Sequence, residues 1–261
     1  MKKICFLLLV VISFSFSKES NLKKFTHFSK SLNKDQSLII YFPEKNTGSK
    51  ILFLLHGAYG NYKNWTDLTD IEFIADQFNL TIVMPDGGEF SWYNNSPVKK
   101  DWQYESYFIN ELIPFVDSLF NNKNKKAICG LSMGGYGALK FASKYPEKFI
   151  SVSSLSGVLD ILNHKTNNWW MDSAFGPIKF YKKKWEENDL LLLAPNLKNK
   201  MKIKFDIGTE DRLLEENRVY QKKLNELKIA HEYIEFEGNH NWKYWGMHIE
   251  DHLKFHSKNL E

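Results

Sequence analysis

Lys126-Ala127-Ile128-Cys129, followed by Gly130-Leu131-Ser132-Met133-Gly134-Gly135, is the stretch on which the reading of this chain turns. The first four residues form a short run of strand character. From Met133 to Lys144 apolar residues recur at helical spacing, and Pro146 stops the pattern. Between strand and helix stands G-x-S-x-G. Its glycines permit a sharp turn and close strand–helix contact, which leaves the serine hydroxyl exposed above the sheet. A helix starting at Met133 also turns its free N–H groups and the positive end of its dipole toward any anion formed beside Ser132. The bare pattern occurs by chance in many proteins, so the flanking elements are what give it meaning.

Outward from this turn, further strand-like runs occupy 38–42, 51–55, 80–84, 149–153, 203–207 and 233–236, and helical patterns occupy 104–120 and 214–227. Strands alternating with helices predict an α/β fold, a mostly parallel central sheet covered by helices on both faces. Reactive groups in such sheets gather at the carboxyl ends of the strands. At 261 residues the chain is long enough for one such domain, and no linker, repeat or low-complexity stretch marks a second.

A serine hydroxyl is a poor nucleophile until a base takes its proton, and in this type of fold the acid and then the histidine follow the serine in the chain. The run 203–207 ends in Gly208-Thr209-Glu210-Asp211, and the run 233–236 ends in Glu237-Gly238-Asn239-His240. Ser132, Asp211 and His240 are therefore the candidate catalytic residues. Glu210 and Asp206 compete with Asp211, but Asp206 falls inside the strand and Glu210 comes one residue earlier on a tight loop. His27, His164 and His231 do not follow a strand at the carboxyl edge. His248, His252 and His256 recur at i, i+4 and i+8 on a C-terminal helix; without an H-E-x-x-H pattern they read as a solvated or partly packed face, and no metal is expected. Acyl transfer builds charge on a carbonyl oxygen, which two N–H donors stabilise. Met133 N–H is one candidate. The other is Ala58 N–H in Leu54-Leu55-His56-Gly57-Ala58, because Gly57 lets the backbone turn inward at the end of the 51–55 strand.

Composition narrows the partners. Hydrophobic residues make up 43% and charged residues 25%, which excludes collagen, coiled coil and wholesale disorder. Met1-Lys2-Lys3, an apolar run from Ile4 to Ile12 and Ser13-Phe14-Ser15-Phe16-Ser17 read as a signal peptide over 1–17, too short to span a bilayer at about 20 residues. Export to the periplasm or beyond the cell is expected, with no stable membrane span once the leader is gone. Losing Lys2 and Lys3 lowers the +4 formal charge to about +2, and the only arginines are Arg212 and Arg218. That is too little positive charge for a nucleic-acid footprint. Cys5 leaves with the leader, so Cys129 has no partner for a disulfide, and its apolar approach suits core packing better than thiol chemistry.

Taken with Gly60-Asn61 and Trp65, Met84-Pro85-Asp86-Gly87, Ser91-Trp92-Tyr93, Tyr104-Glu105, Glu111-Leu112-Ile113-Pro114 and Trp242, these motifs make the chain resemble the esterase D family of α/β-hydrolases from about residue 38 to 256. The family includes tributyrin esterases, S-formylglutathione hydrolases, feruloyl and acetylxylan esterases, and mycolyltransferases. The tributyrin esterase branch shares the Gly-Leu-Ser-Met-Gly-Gly turn. The resemblance implies Ser132 as nucleophile, Asp211 as orienter, His240 as base, and Ala58 and Met133 as oxyanion donors, acting without cofactor or metal on small-molecule or carbohydrate esters. Two alternatives stay open: an acyltransferase with the same triad, or a silent surface binding module that has kept a hydrolase fold. The leader departs from the cytoplasmic location that an S-formylglutathione hydrolase implies. One hydrolase domain over 18–261 is expected, with a small cap insertion at 160–197. The 15% aromatic content is partly concentrated there. Trp169, Trp170 and the rings that follow either line the substrate pocket or pack the cap onto the domain.

Overall fold

The computed structural model describes residues 21–45, 50–121, 125–164 and 170–260, so the leader reading over 1–17 and the position of Trp169 lie outside the described residues. In chain order the elements are β1 (Leu22–Ser29), β2 (Lys34–Tyr41), β3 (Ile51–Leu55), α1 (Asn64–Leu68), α2 (Ile71–Gln77) and β4 (Thr81–Pro85). Then come α3 (Tyr104–Tyr107), a π-helical turn (Phe108–Leu112), α4 (Ile113–Phe120), β5 (Lys126–Leu131), α5 (Met133–Lys144) and β6 (Phe149–Leu155). Three short helices, α6 (Met171–Phe175), α7 (Ile178–Glu186) and α8 (Leu190–Leu193), precede a 3-10 turn at Ala194–Leu197. The chain continues through β7 (Lys202–Gly208), α9 (Leu214–Glu226), β8 (Glu232–Phe236) and α10 (Trp242–Asn259).

The strands join in the order β1-β2-β4-β3-β5-β6-β7-β8, antiparallel at β1/β2 and β2/β4 and parallel from β4 onward. The fold is that of an α/β-hydrolase. Strand alternation divides the core in two. Phe53, Leu55, Ile128 and Phe205 lie on the sheet face covered by α5 and α9, while Leu52, Leu54, Ala127 and Cys129 lie on the face covered by α2 and α10. Both faces are covered, which is why β3, β4 and β5 are buried throughout. Two features departed from the pattern in the sequence. β1 was not expected, and the single helical run over 104–120 is interrupted by the π turn.

In the insertion between β6 and β7, buried Phe175 packs near Trp92, Tyr136 and Trp185, and the Trp185 indole donates to Gly176 O at 2.8 Å. These rings fasten the segment to the sheet-covering helices. Beneath it lies a buried ion cluster. Glu105 Oε2 is 3.1 Å from Lys140 Nζ, and Oε1 is 2.6 Å from Lys144 Nζ and accepts from Tyr145 at 2.8 Å. Burial by itself would raise the Glu105 carboxyl, but the two ammonium groups outweigh it and hold it at about 2.

Burial already lowers the Lys140 amine to about 7, and Glu105 is the group that holds its proton, so replacing Glu105 with Gln takes away the buried pair's charge and its carboxylate acceptor together. A loss of about 3–5 kcal/mol of unfolding free energy is expected in urea titrations at pH 7. Because the folded carboxyl titrates below its ordinary 4.5, its contribution is complete above that pH and disappears as pH falls toward 2. Circular dichroism across this window should show an acid destabilisation that is weaker in the Gln variant.

Candidate active site

Ser132 stands one residue past β5 with φ 53° and ψ −117°, a region that a side-chain-bearing residue enters at a cost of about 1–3 kcal/mol. Close packing on both sides holds it there. A Cβ at Gly130 would come within 2.4 Å of Gly134 O, and one at Gly134 within 2.6 Å of the Leu55 and His56 carbonyl oxygens. Ser132 N–H donates to Leu155 O at 2.9 Å, so the turn is also tied to β6.

The loops after β7 and β8 meet this turn at the same sheet edge. His240 Nε2 lies 3.0 Å from Ser132 Oγ, and His240 Nδ1 lies 2.7 Å from Asp211 Oδ2. Asp211 Oδ1 accepts the Leu213 N–H at 2.9 Å, and the residue is 4% exposed. A carboxylate only accepts, so Nδ1 carries the proton and Nε2 presents a lone pair to the serine hydroxyl. The other acids sit elsewhere. Glu210 is exposed, and buried Asp206 accepts from Tyr244 at 3.1 Å and pairs with His252 Nε2 at 2.7 Å.

A cavity of about 410 Å³ opens at Ser132 and His240. Gly57, Ala58, Tyr59, Asn64, Arg212, Asn241, Trp242 and Trp245 are among the residues that line it. Trp245 meets the His240 ring edge to face at 5.0 Å. Met133 is the first residue of α5, directly after the serine, and Ala58 lines the cavity. Trp170 is 57% exposed and does not line this cavity; it packs against Phe90, which in turn packs against Tyr59. Tyr59, Asn64 and Trp245 were missed because they lie on loop or helix positions whose inward direction depends on how the loops fold. Trp242 was visible in the sequence only as part of a motif.

The C-terminal histidines correct the expectation of a solvated or partly packed face. His252 and His256 are fully buried; His256 is 2.8 Å from Ser151 Oγ and 2.6 Å from Ser153 Oγ, and His248 stacks on Phe236 at 4.2 Å. They dock α10 on the sheet. Cys129 is buried on the same side, and burial pushes its thiol up to about 12. Among the described residues, no group of three or more His, Cys, Asp or Glu is arranged to hold a metal ion, and no helix is long and apolar enough to cross a membrane.

The family described as "Putative esterase" matches residues 29–256. An acetyl esterase of Caldicellulosiruptor saccharolyticus is 30% identical over 88% of this chain and 96% of its own. Among solved structures, an S-formylglutathione hydrolase from Agrobacterium tumefaciens superposes with a TM-score of 0.82 at 20% identity, covering 92% of this chain and 95% of its own. The fluorophosphonate-binding serine hydrolase F of Staphylococcus aureus gives 0.78 at 24%, covering 90% and 98%. At these identities the two structures attest the shared fold.

The backbone angles at Ser132 are those a glycine takes without strain. Ser132→Gly is therefore expected to raise unfolding free energy by about 1 kcal/mol despite the freer unfolded chain. Thermal melting of the purified variant measures it.

Proposed function

The chain belongs to this esterase family and is a carboxylesterase, and from that premise we propose that it is an exported enzyme cleaving short-chain or carbohydrate-linked esters through Ser132, His240 and Asp211. The observation that carries this reading is the continuous chain of contacts, Ser132 Oγ to His240 Nε2 at 3.0 Å and His240 Nδ1 to Asp211 at 2.7 Å, beside a cavity that Ser132 and His240 line.

His240 takes the hydroxyl proton as Ser132 Oγ attacks the ester carbonyl, and the Asp211 carboxylate stabilises the imidazolium so formed. Charge on the tetrahedral oxygen is met by the N–H groups of Ala58 and Met133, each such donor being worth about 10²–10³ in rate. The oxyanion then collapses. The carbon–oxygen bond to the alcohol breaks, and the alcohol leaves with the proton from His240. Water gives up a proton to His240 and attacks the acyl carbon; the bond from that carbon to Ser132 Oγ then breaks, Oγ takes the proton back from His240, and the acid leaves.

The relative from C. saccharolyticus is an acetyl esterase, and a small acyl group suits a pocket walled by Trp242 and Trp245 close to His240. Export rests on residues 1–17, and a mature mass beginning at Lys18 would establish the cleavage. Screening acetylated xylan, feruloylated sugars and short-chain triglycerides separates the candidate esters. Product analysis with added alcohol separates hydrolysis from acyl transfer.

Ser132→Ala is expected to abolish turnover of p-nitrophenyl acetate with the circular dichroism spectrum unchanged. Asp211→Asn is expected to lower kcat by about 10⁴, through the wrong imidazole tautomer. Glu210→Gln should leave kcat within about threefold of wild type. A strong loss in the Glu210 variant with none in the Asp211 variant would reverse the choice of acid.

A further inference from the structure

His56 is fully enclosed, at 1% exposure, and takes no part in the mechanism above. Both of its ring nitrogens are nevertheless engaged. Gly87 N–H donates to Nε2 at 2.8 Å, and Nδ1 lies 2.8 Å from Gly57 O. An amide N–H can only donate and a carbonyl oxygen can only accept, so the ring is neutral with its proton on Nδ1. Burial favours the same neutral form by lowering the pKa.

The carbonyl that His56 holds belongs to the Gly57–Ala58 peptide. In a trans peptide the C=O and the following N–H point in opposite directions, so holding one aims the other. The backbone leading into this peptide is held as well. The Trp65 indole donates to Leu55 O at 3.2 Å, and the Tyr93 hydroxyl donates to His56 O at 2.9 Å. Three consecutive carbonyls, those of Leu55, His56 and Gly57, thus each accept from a side chain. Gly60 keeps the space open, since a Cβ there would stand 2.9 Å from both His56 Nδ1 and Gly57 O. Gly57 itself adjoins the proposed nucleophile, because a Cβ on it would lie 3.4 Å from Ser132 Cβ.

We propose that His56 is a positioning residue, whose Nδ1–H pulls back the Gly57 carbonyl and so turns the Ala58 N–H toward the oxygen that becomes negative in acyl transfer. This rests on the reading of Ser132 as nucleophile and Ala58 as oxyanion donor. The ring has no free nitrogen with which to act as a second base. Its contribution is a fixed peptide plane, which preorganises a donor at no reorganisation cost during reaction.

Asparagine places an amide N–H near the Nδ1 position of histidine, whereas glutamine places one near Nε2. His56→Ala is expected to lower kcat on p-nitrophenyl acetate by about 100-fold with KM within about threefold of wild type. His56→Asn should recover at least about tenfold of that loss, and His56→Gln should not. Affinity for an alkylboronic acid, which forms a tetrahedral adduct on a serine, should fall in parallel with kcat/KM. Equal activity in the Asn and Gln variants, or kcat in the Ala variant within about threefold of wild type, would overturn the proposal. Should the Ala variant not fold, ¹⁵N spectra of the histidine-labelled wild-type protein decide it: the expected signal for His56 is a neutral ring protonated at Nδ1, and an Nε2–H tautomer overturns the proposal. Retained turnover in Ser132→Ala would instead bring down the underlying reading of the nucleophile, whatever the His56 variants do.

Discussion

Everything at the carboxyl edge of the sheet depends on how closely the first turn of α5 approaches β3 and β5. With no side chain at Gly130 or Gly134, the helix backbone rests against the backbone of Leu55, His56 and Gly130. The chain can enter so tight a contact only through a positive φ at the intervening residue, and that residue is Ser132. The same contact fixes two things at once. It raises the Ser132 hydroxyl above the strand end, and it sets the helix N-terminus against the loop that begins at His56. A larger residue at either glycine would separate the elements and move the serine relative to that loop.

The opposite side of the cavity is built on the same plan by different atoms. A Cβ at Gly208 would come within 2.3 Å of Gly238 O, and the loop after β7 donates two backbone bonds to the end of β8 and the loop beyond it, Thr209 N–H to Phe236 O at 2.7 Å and Glu210 N–H to Gly238 O at 2.9 Å. The loops carrying Asp211 and His240 are therefore one unit. Asp206, three residues into β7 from Gly208's side of the sheet edge, is occupied by Tyr244 and His252 of α10. One acid on this strand thus secures the helix that follows His240, and the next acid to reach the edge inward, Asp211, orients the imidazole.

Much of this was legible from order along the chain. A strand, a turn and a helix around Ser132, Asp211 favoured over Glu210 and Asp206 near the end of one strand, and His240 just past the last, are local statements made without knowledge of packing. β1 was not legible, because Leu22-Lys23-Lys24-Phe25-Thr26-His27 is an edge strand with charged, exposed positions rather than an apolar run. The histidines of α10 misled for a related reason. Imidazole on a helix reads as polar surface, yet serines on β6 and a buried aspartate on β7 supply the partners that let it be interior. Cavity walls such as Tyr59 and Trp245 depend on side-chain direction in folded loops and helices. Periodicity cannot supply that direction.

Two histidines near Ser132 share a tautomer and are suited to opposite tasks. In each, Nδ1 carries the proton and Nε2 accepts. Around His240, Nδ1–H meets a carboxylate and Nε2 meets a hydroxyl, so in the proposed mechanism a proton taken from Ser132 is compensated by the Asp211 charge. Around His56, Nδ1–H meets a peptide carbonyl and Nε2 meets a peptide N–H, so a second proton would set two donors face to face in a site closed to water. The carboxylate in one case and the amide in the other decide whether the ring can change charge. In the proposed mechanism His240 gains and loses a proton, and a neighbouring ring that keeps its charge also keeps its hydrogen bonds, which is what the proposed oxyanion donor requires.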